Sequence, residues 1–212
     1  MLQSEQLEAG LGQIEGLAHD ETALFALLRY AELLQKWGRV YNLTSLLSDE
    51  DILTHHLLDS AAFVPYVARL MPQAKTLLDV GSGGGLPVIP LAIYRRDLRL
   101  QAVDAVAKKV AFLTQVGIEL KLSHFSARHC RVEKLRGGYD VITSRAFASL
   151  GDFISWTQHL LNPSGCWLAM KGAYPTDEIA ELPEGVSVKD VFEVKVPLLN
   201  EQRHVVMLQK TA

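Results

Sequence analysis

Residues 77–90 read LLDVGSGGGLPVIP, a short apolar run that opens at once into five residues, Gly81 to Gly85, of which four are glycine. Glycine tolerates positive φ and lets a ligand approach bare backbone. A strand, a glycine turn and a helix in that order leave unpaired N–H groups at the mouth of a cleft. The segment predicts a strand-turn-helix unit of an α/β sheet and a nucleotide-type ligand above it.

The rest of the chain extends that unit. Strands are predicted at 75–80, 98–103, 123–127, 139–143 and 166–170, alternating with helices from 86, at 107–119, near 131–135 and at 149–160. Such alternation predicts a parallel sheet with helices on both faces. Two late strands, Val186 to Val196 and Arg203 to Gln209, are joined by the Pro197 to Gln202 loop and read as an antiparallel hairpin at the sheet edge. Ahead of the sheet, Leu24, Leu27, Leu28, Ala31, Leu34 and Trp37 recur at helical spacing, with Asp20 as N-cap and Gly38 as the stop. Ser48 and Asp51 resemble a capping box before a second helix from Ile52 to Leu58 or beyond, on which His55 and Asp59 share a face. The expected organisation is an N-terminal helical subdomain, 1–70, followed by an α/β domain, 71–212.

The glycine run narrows the ligand. A dinucleotide fingerprint needs G-x-G-x-x-G, but Leu86 falls after Gly85 and the third glycine is out of register; no Gly-Lys-Ser/Thr follows, which removes a Walker loop. Asp79, just before the turn, would repel a pyrophosphate but suits a ligand carrying an ammonium and a sulfonium, as S-adenosylmethionine does. Asp104 closes the second strand 23 positions after Gly81, where an acid accepts hydrogen bonds from both ribose hydroxyls or else caps the next helix.

Charge points to the partner. The net charge of -3 argues against indiscriminate coating of nucleic acid, and the first 28 residues hold five acids and no Lys or Arg. Ligands of an open parallel sheet bind beyond the carboxyl ends of its strands. Lys108, Lys109, Arg128, Arg131, Arg145 and Lys171 are all expected at that edge, whereas Arg95, Arg96, Lys134 and Arg136 fall at the opposite one. A cationic rim beside a methyl-donor pocket suggests a polyanionic substrate such as RNA. Cys130 and Cys166 have no metal-ligand spacing, and neither a signal-like N-terminus nor a spanning apolar run is evident, so a cytoplasmic protein with free thiols is expected.

With YNLTS at 41–45, HHLLDS at 55–60, KKVAFL at 108–113, RVEKL at 131–135, SRAFASL at 144–150, LAMKG at 168–172 and RHVV at 203–206, the chain resembles the bacterial RsmG (GidB) family over nearly its full length. The resemblance implies a Rossmann-like class I S-adenosylmethionine-dependent methyltransferase fold and methylation of N7 of a guanine in 16S ribosomal RNA. It implies that Gly81, Gly83 and Leu86 line the cofactor, that Asp104 takes its ribose and that Val132 and Glu133 sit beside its adenine. Arg145 then serves cofactor and active centre, with Lys171 as a second catalytic cation. Asn42, His56, Asp59, Lys108, Arg131, Lys171 and Arg203 face the RNA, and no metal is implied; the partner is 16S rRNA or a small-subunit particle, with no membrane. Alternatively His56 and Asp59 form a satisfied helix-side pair, Asn42 a turn, and Arg203 an edge-strand salt bridge. The chain departs from the family at Val88, where a glycine is usual, at His55, where an arginine often precedes the histidine, and at Lys134, where an acid is common.

Overall fold

A computed structural model describes residues 2–18, 20–41, 43–44 and 46–211. Helices α1 (Ser4–Leu11) and α2 (Glu21–Tyr41) come first. A continuous helical rod follows, made of α3 (Asp49–Asp51), a π-helical segment (Ile52–Leu58) and α4 (Asp59–Leu70). The remainder is β1 (Thr76–Val80), α5 (Val88–Tyr94), β2 (Arg99–Asp104), α6 (Ala107–Glu119), β3 (Phe125–His129), β4 (Tyr139–Arg145), α7 (Leu150–Thr157), β5 (Leu161–Lys171), α8 (Thr176–Ala180), β6 (Val186–Glu193) and β7 (His204–Lys210).

The seven strands form one sheet in the order β3-β2-β1-β4-β5-β7-β6. The first five run parallel, while β7 pairs antiparallel with β5 and with β6. The late hairpin therefore sits at the edge, as its turn signals suggest, with the last strand inserted between β5 and β6.

Strand side chains alternate between faces, and the core divides accordingly. Leu77, Leu100, Val141, Cys166 and Leu168 pack with the helices of the first seventy residues and with α5 and α6. Leu78, Val103, Ile142, Trp167 and Leu208 pack under α7. One face of the sheet thus shares a single core with the N-terminal helices.

Local signals explain most boundaries. Asp20 accepts from the Ala23 N–H, and Ser48 Oγ accepts from the Asp51 N–H, both as helix caps. Gly38 does not stop α2, which runs on to Tyr41. It is buried because Leu47 packs on it, and a Cβ there would lie 2.5 Å from Leu47 Cδ2. The helix expected from Ile52 onward is present, although its first seven residues wind as a π-helix, whereas α1 and α8 lie outside the expected elements. Strand β5 starts at Leu161 rather than 166, with an irregular register against β4 that accommodates Pro163 and Gly165.

Candidate active site with two adjoining clefts

At the carboxyl edge, β1 ends in the glycine loop. Gly81, Gly83 and Gly85 have φ of +68°, +55° and +93°, values that L side chains rarely adopt. A Cβ on Gly81 would run into the Phe147 ring, so the β4–α7 loop closes directly over bare backbone. From behind, Tyr30 on α2 donates its hydroxyl to the Gly84 carbonyl, tying the loop to the N-terminal helices.

A first cleft of about 400 Å³ opens beside this loop. Its floor is Val80, Gly81 and Val103, and its sides carry Asp104, Arg131, Val132, Glu133, Phe147 and Trp156. Phe147 and Trp156 meet edge to face, their centroids 5.7 Å apart, as one apolar wall. Asp104 accepts from the Gly83 N–H at 3.0 Å and from the Val106 N–H at 2.8 Å. It therefore caps the turn into α6 and also presents its carboxylate to the cleft. Each carboxylate oxygen keeps acceptor capacity beyond one backbone bond, so the two roles coexist.

Asp79 is one residue behind Val80, fully buried on the opposite face of β1, and neither carboxylate oxygen has a partner. Burial pushes its pKa up to about 8, against the opposing pull of Ser82 and Arg145. Asp104 fits a diol such as the ribose of S-adenosylmethionine, whereas Asp79, expected from the sequence to face the ammonium, lies behind β1 outside the cleft and is held largely protonated at neutral pH by its burial.

The second cleft, about 310 Å³, is lined by His55, His56 and Asp59 from the helical rod, Arg145 at the end of β4 and Ala146 after it, Lys171 at the end of β5, and Arg203 before β7. Asp59 is 3% exposed and is held from the end of β4 and from the residue before β7: Arg145 Nη1 donates to Oδ2 at 2.9 Å and Arg203 Nε to Oδ1 at 3.1 Å. Arg145 Nη1 also donates to the His55 carbonyl at 2.7 Å. That carbonyl lies in the π-helical segment, whose i→i+5 pattern departs from the α ladder and is frequent at functional sites. Ala146, at φ +50°, lines both clefts and joins them.

Several expected residues take other places. Leu86 is packed into the core and not at the first cleft, because it closes the loop onto the helical side. Gly83 contributes its N–H to Asp104 and does not line the cleft itself. Arg145 lines the second cleft and not the first, since Asp59 and His55 draw its guanidinium toward the rod. Arg131 is at the mouth of the first cleft rather than the second. Lys108 is exposed and its ammonium lies 5.8 Å from the Tyr41 ring centre, outside both clefts. His56 is buried and donates from Nε2 to the Leu46 carbonyl; burial, then the charge of Arg145, holds its pKa below the ordinary value. Lys171 lines the second cleft, yet its ammonium is committed to both oxygens of Glu178, at 2.9 and 2.7 Å, and to the Ala148 carbonyl. Val88 is buried in the core at the start of α5, so its extra bulk does not reach the first cleft. Asn42 lies outside the described residues.

Sequence reasoning missed Ala146, Phe147 and Trp156 as cleft residues, although SRAFASL marked the segment holding the first two. Glu178 was also missed, on a five-residue helix that carries no periodic signal.

A family model described as rRNA small subunit methyltransferase G (GidB) matches residues 24–206. A ribosomal RNA small subunit methyltransferase G of Neisseria gonorrhoeae is 48% identical over 211 residues, covering 99% of this chain and 100% of its own length. One of Ralstonia nicotianae is 51% identical over 213 residues, covering 98% of this chain and 95% of its own. Among solved structures, TrmN from Thermus thermophilus matches with a TM-score of 0.57 at 16% identity, over 75% of this chain and 53% of that one. A ribosomal protein L11 methylase from Lactobacillus delbrueckii subsp. bulgaricus matches with a TM-score of 0.55 at 15% identity, over 72% of this chain and 77% of that one. The two structural likenesses bear on the fold alone, and the fold is that of class I S-adenosylmethionine-dependent methyltransferases.

Proposed function

The chain belongs to the rRNA small subunit methyltransferase G family, and from that premise we propose that it transfers the methyl group of S-adenosylmethionine to N7 of a guanine in 16S ribosomal RNA, with the work divided between the two clefts. The first cleft takes the cofactor, which when bound supplies an electrophilic methyl on a sulfonium. Asp104 accepts the ribose hydroxyls, and Val132 and Glu133 flank the adenine. The second cleft takes the guanine. The single observation that carries this reading is Ala146, which lines both clefts, so that a base in one adjoins a methyl donor in the other.

Guanine N7 has a free lone pair and no proton to lose, so the protein need supply no general base. Its residues have two tasks: to hold the base in line and to oppose the negative charge of RNA. Arginine often reads guanine through O6 and N7 together, yet a donor on N7 would occupy the attacking lone pair. The Asp59 carboxylate turns Arg145 and Arg203 to fixed positions, which directs their remaining N–H groups to O6 or phosphate. Lys171, neutralised by Glu178, fixes the end of β5 against α7 and α8. Residues 1–70 act as a helical subdomain that supplies the Asp59 wall, and 71–212 as the methyltransferase domain. The partner is 16S rRNA, alone or in a small-subunit particle; among the described residues no helix is long and apolar enough to cross a membrane.

The deciding measurement is mass spectrometry of 16S rRNA nucleosides from cells with and without this protein, paired with methylation by the purified chain. Loss of one 7-methylguanosine and its restoration in vitro is expected. Unchanged 7-methylguanosine would overturn the assignment.

A further inference from the structure

The carboxyl edge of the sheet carries exposed apolar side chains as well as cations. Val106 follows β2, Tyr174 follows β5, and Leu198 lies between β6 and β7, all well exposed. That last connection belongs to the same edge, because His204 pairs with Lys171 on one side and Glu193 on the other.

Tyr174 differs from the others in how it is held. It is 53% exposed, and its ring meets the His204 ring at 86° with centroids 5.7 Å apart. His204 is 8% exposed and donates from Nδ1 to the Gly172 carbonyl at 2.6 Å, so the group beneath Tyr174 is fixed to the sheet. A perpendicular contact occupies at most one face of the tyrosine, which leaves the other face open to water. Lys171 and Gly172, three and two residues before Tyr174, line the second cleft, and Arg203 adjoins His204.

We propose that Tyr174 is a stacking platform for an unpaired nucleobase of the RNA substrate, next to the base held in the second cleft. The inference rests on the reading of that cleft as the RNA-binding one. Single-stranded RNA offers flat π faces joined by phosphates, and an aromatic ring seated on His204, next to Arg203, matches both features. Every base has such a face, so the platform adds affinity and leaves sequence choice to the cleft.

The test uses the full chain and an end-labelled single-stranded fragment of 16S rRNA, followed by fluorescence anisotropy over a salt series. Wild type is compared with Tyr174→Ala, Tyr174→Leu and Tyr174→Phe, with thermal unfolding and cofactor affinity measured in parallel. Ala and Leu should weaken RNA binding by about tenfold to a hundredfold, while Phe stays within about twofold. The slope of log affinity against log salt should be unchanged in all of them, since no phosphate contact is removed. Folding and cofactor affinity should be unaltered. Leu binding as tightly as Phe, or Ala binding within about twofold of wild type, would overturn the proposal. Wild-type protein that binds RNA in this Tyr174-dependent way but leaves guanine N7 unmethylated would overturn the assigned reaction and uphold the platform.

Discussion

The two clefts hold their ionisable groups by different means. In the first, Asp104 is fixed chiefly by backbone, through the Gly83 and Val106 amides, with the Lys109 ammonium 4.0 Å away, and behind the cleft the buried Asp79 has no hydrogen-bond partner. In the second, side chains answer to one another, with Asp59 between Arg145 and Arg203 and Lys171 on Glu178. A group fixed by backbone can keep its charge for a ligand, whereas groups that satisfy each other set a shape and turn only their remaining donors outward. The first cleft is thus arranged to capture a cationic small molecule, the second to position a large one.

Replacing Asp59 should show the larger effect. Asp59→Ala leaves the Arg145 guanidinium without its carboxylate and Arg203 with Glu201 alone, which should cost roughly 3 kcal/mol of stability and reduce methyl transfer at least a hundredfold. Denaturant unfolding and single-turnover kinetics measure the two. Cofactor affinity should stay within a few-fold; its collapse would erase the separation of the clefts. Asp104→Ala makes the converse change. It should weaken S-adenosylmethionine binding by about 1.5–3 kcal/mol in calorimetry and leave RNA affinity alone. Unchanged cofactor affinity would remove Asp104 from the site.

The orphan carboxyl group of Asp79 gives a pH test. An unfolded Asp titrates near 4 and Asp79 at about 8, so between those values the folded chain holds a proton that the unfolded chain has lost. Stability should fall as pH rises from about 4 to about 8 and level off above, by on the order of 1 kcal/mol per unit. Asp79→Asn should flatten that slope and be the more stable protein at pH 8. An unfolding free energy that changes equally between pH 5 and pH 8 in wild type and in Asp79→Asn would show that Asp79 is not the group responsible.

The smallest effect is expected at the thiols. Cys166 is fully buried in β5, and burial pushes its pKa to about 12, so it is no nucleophile; Cys130 lines the first cleft. The Cys130→Ala, Cys166→Ala double variant should lose about 1 kcal/mol of stability and keep its turnover. A folded variant inactive by several orders of magnitude would bring covalent catalysis into the first cleft and remove the contrast drawn between the two.

The contrast also governs what the sequence could tell. The first cleft is legible because its loop is one contiguous stretch and its acid sits at the end of the adjacent strand. The sheet is equally readable, since each strand's apolar run and each helix's stripe are local patterns. The second cleft joins residues 59, 145 and 203, whose meeting depends on the packing of the rod against the sheet. No spacing rule announces that Asp59 would take two arginines, or that Glu178 would occupy Lys171. Gly38 misled for a related reason: its lack of a side chain serves a tertiary contact with Leu47, while turn chemistry read it as a helix end.

The π-helical segment has a consequence for insertions and deletions. Such a segment winds the backbone more widely than its flanks, as if one surplus residue had been spliced into an α-helix and absorbed there. Removing one residue between Ile52 and Leu58 would let the rod relax into ordinary α geometry while α4 kept its seat on the core. The His55 carbonyl would then lose its reason to point at Arg145. At this one place a frame-preserving codon loss would spare the architecture and strike the chemistry, so the rod carries a length fixed by the cleft and not by the fold.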